Sequence, residues 1–241
     1  MKELIIDNRM RIEEKDKLKE LGYKLIEIET SKEVYPEISS HTDIFCTKIK
    51  ENLVVEPTKC NLIKSKVEKE INIIKGSSKV ESKYPNDIKY NVCVFGKYAI
   101  HNFQYTDEKI KEILQKENFD LINVKQGYTK CSIVVIDENS IITSDRGIYE
   151  ELRNKNFNIL FIENKLNIKL LNNNQISLMD GFIGGAISRI ENNIFISGDL
   201  RKIDNDNKIR NFIKERNLNI ISFDNLEVID YGGIIEIQNC K

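Results

Sequence analysis

His41 and Asp43 place an imidazole and a carboxylate two residues apart at the head of the segment HTDIFCTKIKENLVVEP, His41 to Pro57. Positions two apart in a strand share a face, so the pair is expected to point the same way. Imidazole is the side chain that moves protons near neutral pH. A carboxylate can grip a guanidinium or amidinium through two parallel hydrogen bonds. The same template recurs at Tyr128 to Asp145 (YTKCSIVVIDENSIITSD) and at Phe182 to Asp199 (FIGGAISRIENNIFISGD). Each copy opens on a ring (His41, Tyr128, Phe182). Each then carries an isoleucine (Ile49, Ile136, Ile190) and an asparagine (Asn52, Asn139, Asn193) at shared offsets. In this alignment Asp43 is equivalent to Lys130 and Gly184, and Ile44 to Cys131 and Gly185.

Repeated units brought around an axis would gather these positions at a hub. The hub would then hold an imidazole, a carboxylate, an ammonium and a thiol, with glycines making room. A thiolate beside Lys130 is expected to have a lowered pKa. It could attack a guanidino or amidino carbon and form a thiouronium on Cys131, with His41 moving protons and Asp43 holding the cation. Lys130, Gly184, Gly185 and Gly233 complete the expected ligand-binding set.

Each residue also has a plain structural reading. His41 stands where Tyr128, Phe182 and Tyr231 stand, which also fits a packed ring with no other role. Cys131 can be a small buried apolar residue, and Lys130 can form an internal ion pair. Cys46 is a rival nucleophile, ranked lower because it should face away from His41 and Asp43. His101, at a strand end, suits a surface or capping role. The pairs Gly184-Gly185 and Gly232-Gly233 suit close packing, since no helix opens directly after them. Asp7, Asp145 and Asp199 suit turns and helix starts.

The elements that must position these residues form five units of strand, helix, strand and strand. Helices are expected over 12–21, 61–70, 107–116, 148–154 and 205–216, with Gly22, Asn118, Asn156 and Asn217 as stops; Gly and Asn tolerate the left-handed residue that closes a helix. The stretch Gly76 to Lys79 reads as a surface loop. The last unit, ending in Tyr231-Gly232-Gly233-Ile234-Ile235-Glu236-Ile237, lacks the second strand of its hairpin. The strand Leu4 to Asp7 has the form of that missing piece, so it is expected to close the ring. The reading is a single α/β domain over residues 1–241: a five-bladed α/β propeller of pseudo-repeats.

Composition narrows the function. Thirty-seven basic against 38 acidic residues give a net charge of −1, with no charge block, so no nucleic-acid or membrane partner is expected. The apolar run at the N-terminus is too short for a signal peptide. The five cysteines, Cys46, Cys60, Cys93, Cys131 and Cys240, show no CxxC pairing and read as reduced thiols in the cytoplasm. No metal or other cofactor is expected, and the oligomeric state is left open.

At this point the chain resembles the pentein superfamily, the guanidino-group-modifying enzyme fold, and within it a branch defined by fold. The resemblance covers nearly the whole chain through the repeat. It implies a five-unit α/β propeller. Its members are arginine and agmatine deiminases, dimethylarginine hydrolases and amidinotransferases, with the ribosomal anti-association factor as a non-catalytic relative. His41-Thr42-Asp43 resembles the enzymes' His-x-Asp motif, in which His transfers protons and Asp binds the guanidinium. Tyr231-Gly232-Gly233-Ile234-Ile235 resembles the Gly-rich strand that carries their nucleophilic Cys, but Glu236 stands about where that Cys would be. The His-x-Asp also falls in the first unit rather than a later one. The implied activity is hydrolysis or amidino transfer on a small guanidino or amidino ligand; the alternative is a non-catalytic propeller that binds a ligand or a protein.

Overall fold

The structure, a computed structural model, describes residues 2–68 and 70–237; Cys240 lies outside them. The chain opens with β1 (Lys2–Asp7), α1 (Ile12–Glu20), β2 (Tyr23–Ile28) and a one-turn helix α2 (Thr42–Phe45). It continues through β3 (Cys46–Ile49), β4 (Asn52–Val55), α3 (Cys60–Lys66) and β5 (Asn72–Lys75). Next come β6 (Cys93–Phe95), β7 (Tyr98–His101), α4 (Glu108–Lys116) and β8 (Asp120–Asn123). A second one-turn helix, α5 (Thr129–Ser132), leads to β9 (Ile133–Val135), β10 (Ser140–Thr143), α6 (Arg146–Leu152) and β11 (Asn158–Phe161). The hairpin β12 (Ile168–Asn172) and β13 (Gln175–Asp180) precedes a third one-turn helix, α7 (Ile183–Ala186). The remainder is β14 (Ile187–Ile190), β15 (Asn193–Ile196), α8 (Lys208–Lys214), β16 (Asn219–Ile221), β17 (Val228–Ile229) and β18 (Ile235–Ile237).

Five three-stranded sheets share one topology: β18-β1-β2, β3-β4-β5, β6-β7-β8, β9-β10-β11 and β14-β15-β16. In each, the central strand runs antiparallel to one neighbour and, across a helix, parallel to the other. The central strands are apolar runs because both their faces are buried. Leu4, Ile5 and Ile6, or Leu53, Val54 and Val55, are wholly inaccessible, and each such side chain stabilises the fold by about 1.5–3 kcal/mol. The expected pairing of the first strand with the last is present: β1 pairs antiparallel with β18, Leu4 opposite Glu236, and parallel with β2. A sixth sheet, β13-β12-β17, was not foreseen from the sequence. Its strand β13 is mostly exposed, and its hairpin breaks the repeat between β11 and α7.

The helices follow their local signals. Asp107 caps α4 by accepting from the Lys109 N–H, and Ile110 and Leu114, four apart, are its buried face. Asp145 and Asp199 accept from Ile148 and Arg201 N–H in the same way. Gly22, Asn118 and Asn217 take the left-handed conformation after α1, α4 and α8. Asn156 does not, because α6 stops four residues earlier at Leu152. No helix among the described residues is long and apolar enough to cross a membrane.

One expectation is corrected at the heads of the hairpins. Residues 42–45, 129–132 and 183–186 are single helical turns, not strand. His41, Tyr128 and Phe182 occupy the capping positions before them. Four residues are too few for periodicity to tell strand from helix, and a lone turn persists only through tertiary contacts. Those contacts are visible. The Thr42 hydroxyl donates to the Gly232 carbonyl at 2.6 Å, and the Thr129 hydroxyl donates to the carbonyls of Asn91 and Ile100 at 2.7 and 2.9 Å.

Candidate active site

The three turns converge. Asp43, Lys130 and Gly184 are second in α2, α5 and α7, and Ile44, Cys131 and Gly185 are third, so the sequence equivalence survives the change from strand to helix. The Cys131 thiol donates to Asp43 Oδ2 at 2.9 Å. The two residues are 88 apart in sequence, and only the superposition of repeat units brings them together.

Asp43 is buried, and its Oδ1 has no hydrogen-bond partner among the described residues. Burial drives its pKa up from 3.8 to about 6, opposed by His41 and Lys130 and reinforced by the Asp230 carboxylate. His41 is buried, and neither ring nitrogen has a hydrogen-bond partner among the described residues; its Nδ1 lies 3.7 Å from Asp230 Oδ1. Asp230 in turn accepts from the Gly232 N–H at 2.9 Å and the Phe182 N–H at 2.8 Å.

The lowered thiol pKa expected of Cys131 is not found. Burial pushes it well above 9, and the Asp43 and Asp230 carboxylates push it further. The Asp43 carboxylate stands 2.9 Å from the sulfur, so its negative charge and burial act in the same direction. The thiol is therefore held protonated as a donor to Asp43. Cys46 is also buried, and burial raises its thiol too.

The glycines are space-makers. A Cβ on Gly185 would lie 1.8 Å from Asp230 Oδ1, and one on Gly232 would lie 2.5 Å from His41 Cβ and 2.8 Å from Asp43 Oδ1. On Gly184 a Cβ would meet the Lys130, Ile133 and Cys131 carbonyls at 2.4–2.6 Å, so this residue lets α7 pack against α5. A Cβ on Gly233, at φ +74°, would meet the Gly184 carbonyl and Ser188 Oγ at 3.2 Å and the Lys130 ammonium at 3.4 Å.

Two sides of this cluster differ. On one side a cavity of about 400 Å³ is bordered by Asp43, Lys48, Lys130 and Glu236. A second of about 370 Å³ shares Lys130 and Glu236 and adds Arg189 and Ser188. Cys131 and His41 border neither and lie sealed behind Asp43, at 2% and 1% exposure. On the other side a second polar group lies beyond the hub. The Tyr128 hydroxyl donates to Asp87 Oδ2, Tyr35 Oη lies 3.0 Å from Tyr128 Oη, and Tyr128 stacks on Phe182. Asp87 Oδ1 is buried without a hydrogen-bond partner among the described residues. Burial raises the Tyr35 phenol to about 12, and Asp87, Cys131 and Asp230 add to the rise.

His101 is fully buried rather than at the surface. It bonds Thr106 Oγ1 and the Gly127 carbonyl, and burial lowers its pKa to about 4. Sequence reasoning missed Asp230 and Asn91. The only signal for Asp230 was its place before Tyr231-Gly232-Gly233. Asn91 had none, because its unit matches the template loosely. Its Oδ1 accepts from the N–H groups of Lys130 (2.8 Å) and Cys131 (3.2 Å). Among the described residues no group of three or more His, Cys, Asp or Glu is placed to hold a metal ion.

The fold matches known structures across nearly the full length of the chain. The chain superposes on the dimethylarginine dimethylaminohydrolase of Pseudomonas aeruginosa with a TM-score of 0.59 at 10% identity, covering 94% of this chain and 92% of that one. It superposes on the N-terminal domain of a cyanobacterial arginine dihydrolase with a TM-score of 0.57 at 10% identity, covering 99% of each. For the inosamine-phosphate amidinotransferase of Streptomyces griseus the score is 0.56 at 10% identity, covering 100% and 94%. These likenesses establish the pentein fold, a mixed α/β architecture of several small sheets. Within that class the chain belongs to a family of unknown function, DUF6873, whose profile matches residues 5–235. A comparison with curated protein sequences gives no match.

Proposed function

We propose that this chain is a single five-bladed α/β propeller that acts on a small guanidino or amidino cation at its hub. In this reading Asp43 grips the cation, Cys131 attacks its central carbon and His41 moves protons, with Lys130 and Gly233 lining the approach. The observation that carries it is the bond from the Cys131 thiol to Asp43, beside an Asp43 oxygen and two imidazole nitrogens that have no hydrogen-bond partner among the described residues. Buried polar atoms of this kind are seldom left single. The fold supports the reading through its neighbours. The Pseudomonas aeruginosa enzyme holds citrulline, and the cyanobacterial dihydrolase holds its substrate, each as a cysteine-to-serine variant.

The S–C bond forms as the thiol proton leaves the sulfur for a base of the site, and the C–N bond breaks as the departing amine takes a proton from His41, leaving a thiouronium on Cys131. Water then attacks that carbon and gives one proton to His41 and one to the sulfur as the C–S bond breaks, releasing a urea-type product and restoring the thiol. An amine in place of water gives amidino transfer. A bound cation offsets the negative charge of Asp43 and Asp230, the condition under which the sulfur could ionise. A free thiol in this role fits a reducing compartment, the cytoplasm.

A second reading, a ligand-binding propeller without catalysis, is favoured by the protonated thiol and its burial. Labelling by 2-chloroacetamidine distinguishes the two. The enzyme reading expects Cys131 to be alkylated faster by the cationic amidine than by neutral 2-chloroacetamide, with the adduct lost in Cys131→Ala. A Cys131 inert to both reagents in the folded protein leaves only the binding reading.

A further inference from the structure

Asn91 is fully inaccessible, and its side chain is fully committed. Its Oδ1 accepts the N–H groups of Lys130 and Cys131, and this fixes which end of the amide is nitrogen. Nδ2 then donates to Cys131 Sγ at 3.0 Å and to the Asp43 carbonyl at 3.3 Å. The sulfur thus has two named partners of opposite kind: an N–H aimed at it from Asn91 and a carboxylate oxygen that receives its proton. His41 is not among them, since neither ring nitrogen has a hydrogen-bond partner among the described residues.

We infer that Cys131, Asp43 and Asn91 form one working triad, in which Asp43 takes the thiol proton and Asn91 holds the resulting thiolate. The inference rests on the nucleophilic reading of Cys131 and deepens it. As the S–C bond forms, the S–H bond breaks and the proton moves to Asp43 Oδ2. The Asn91 N–H stays on the sulfur throughout, and His41 is left free to serve the departing amine. Burial favours this exchange, because it holds the Asp43 carboxyl high, at about 6, and so makes it a better proton acceptor than an exposed aspartate. A donor fixed by two backbone bonds needs no reorganisation when charge develops on the sulfur.

The test is the rate of Cys131 alkylation by neutral 2-chloroacetamide at pH 7, read by mass spectrometry of the full chain. The two possible roles of Asp43 predict opposite signs. If it is the proton acceptor, Asp43→Asn labels about tenfold slower or more. If it only suppresses the thiolate by its charge, Asp43→Asn labels faster, and the triad is wrong. Asn91→Asp keeps the acceptor for both backbone N–H groups and loses the donor to sulfur. It should label roughly 10- to 100-fold slower, the scale of a charge-assisted hydrogen bond, and an unchanged rate removes Asn91 from the triad. Should either variant fail to fold, the wild-type S–H infrared band decides. The band lost in Cys131→Ser should sit below those of the other buried thiols, and a band at their frequency refutes the thiol–carboxylate bond. A wild type that resists both this reagent and 2-chloroacetamidine defeats the nucleophilic reading itself. Labelling that proceeds normally in both variants defeats only the triad.

Discussion

Gly185→Ala is the sharpest probe of how the hub is built. The added Cβ would lie 1.8 Å from Asp230 Oδ1 and 2.4 Å from its Cγ, against an ordinary contact of about 3.5 Å. The carboxylate must move well over an ångström. It then abandons its bonds from the Gly232 N–H (2.9 Å) and the Phe182 N–H (2.8 Å) and its position beside His41. Each hydrogen bond to a charged group is worth about 1.5–3 kcal/mol, so a loss of about 3 kcal/mol or more is expected. For a chain of this size that lowers Tm by about 6–12 °C. Gly22→Ala is the control. Gly22 has φ +87° and nothing within 4 Å, so only backbone strain applies, about 1 kcal/mol. Thermal and urea unfolding of Gly185→Ala should be compared in wild-type and Asp230→Ala backgrounds. With the carboxylate gone, the same substitution should cost under about 1 kcal/mol, a coupling characteristic of residues in contact. An equal cost in both backgrounds, or a Gly185→Ala protein within about 0.5 kcal/mol of wild type, would refute the clash and with it the geometry of the hub.

Further outcomes follow from the charges. Asp43, raised from 3.8 to about 6, binds a proton between those values when folded and releases it when unfolded. Its contribution to stability therefore falls as pH rises through that window, by about 3 kcal/mol; Asp43→Asn should remove that component from a stability–pH curve, and an unaltered slope would contradict the shift. Lys130 opposes the rise, so Lys130→Met should move the Asp43 titration upward in a carboxyl infrared or NMR titration, and no movement would show that the ammonium does not face the carboxylate. Arg9 is paired with Asp7 inside the fold and also donates to the carbonyls of Pro36, Glu37 and Leu171. Lysine cannot reproduce that fork, so Arg9→Lys should destabilise by about 3 kcal/mol in denaturant unfolding, and a neutral substitution would show that those bonds carry little.

Much of the architecture was legible in residue order alone. The recurring ring, isoleucine and asparagine marked three hairpins, and the missing last strand pointed to β1 as partner of β18, because an unpaired sheet edge must be filled from somewhere. Asn118 and Asn217 marked helix ends through their tolerance of left-handed backbone. The hairpin of β12 and β13 escaped because it belongs to no repeat, and the turns α2, α5 and α7 because four residues carry no period.

The candidate site divides in the same way. Repeat arithmetic alone placed Asp43, Lys130 and Cys131 at related positions, since equivalent residues in repeated units face a common centre. What it could not supply was charge environment. Whether Cys131 is a thiolate or a thiol depends first on how deeply it is buried and then on which charges stand beside the sulfur, and both are decided by packing between segments 88 residues apart. Asp230 and Asn91 entered the hub for the same reason: their partners are defined by distance in space, which no local pattern encodes.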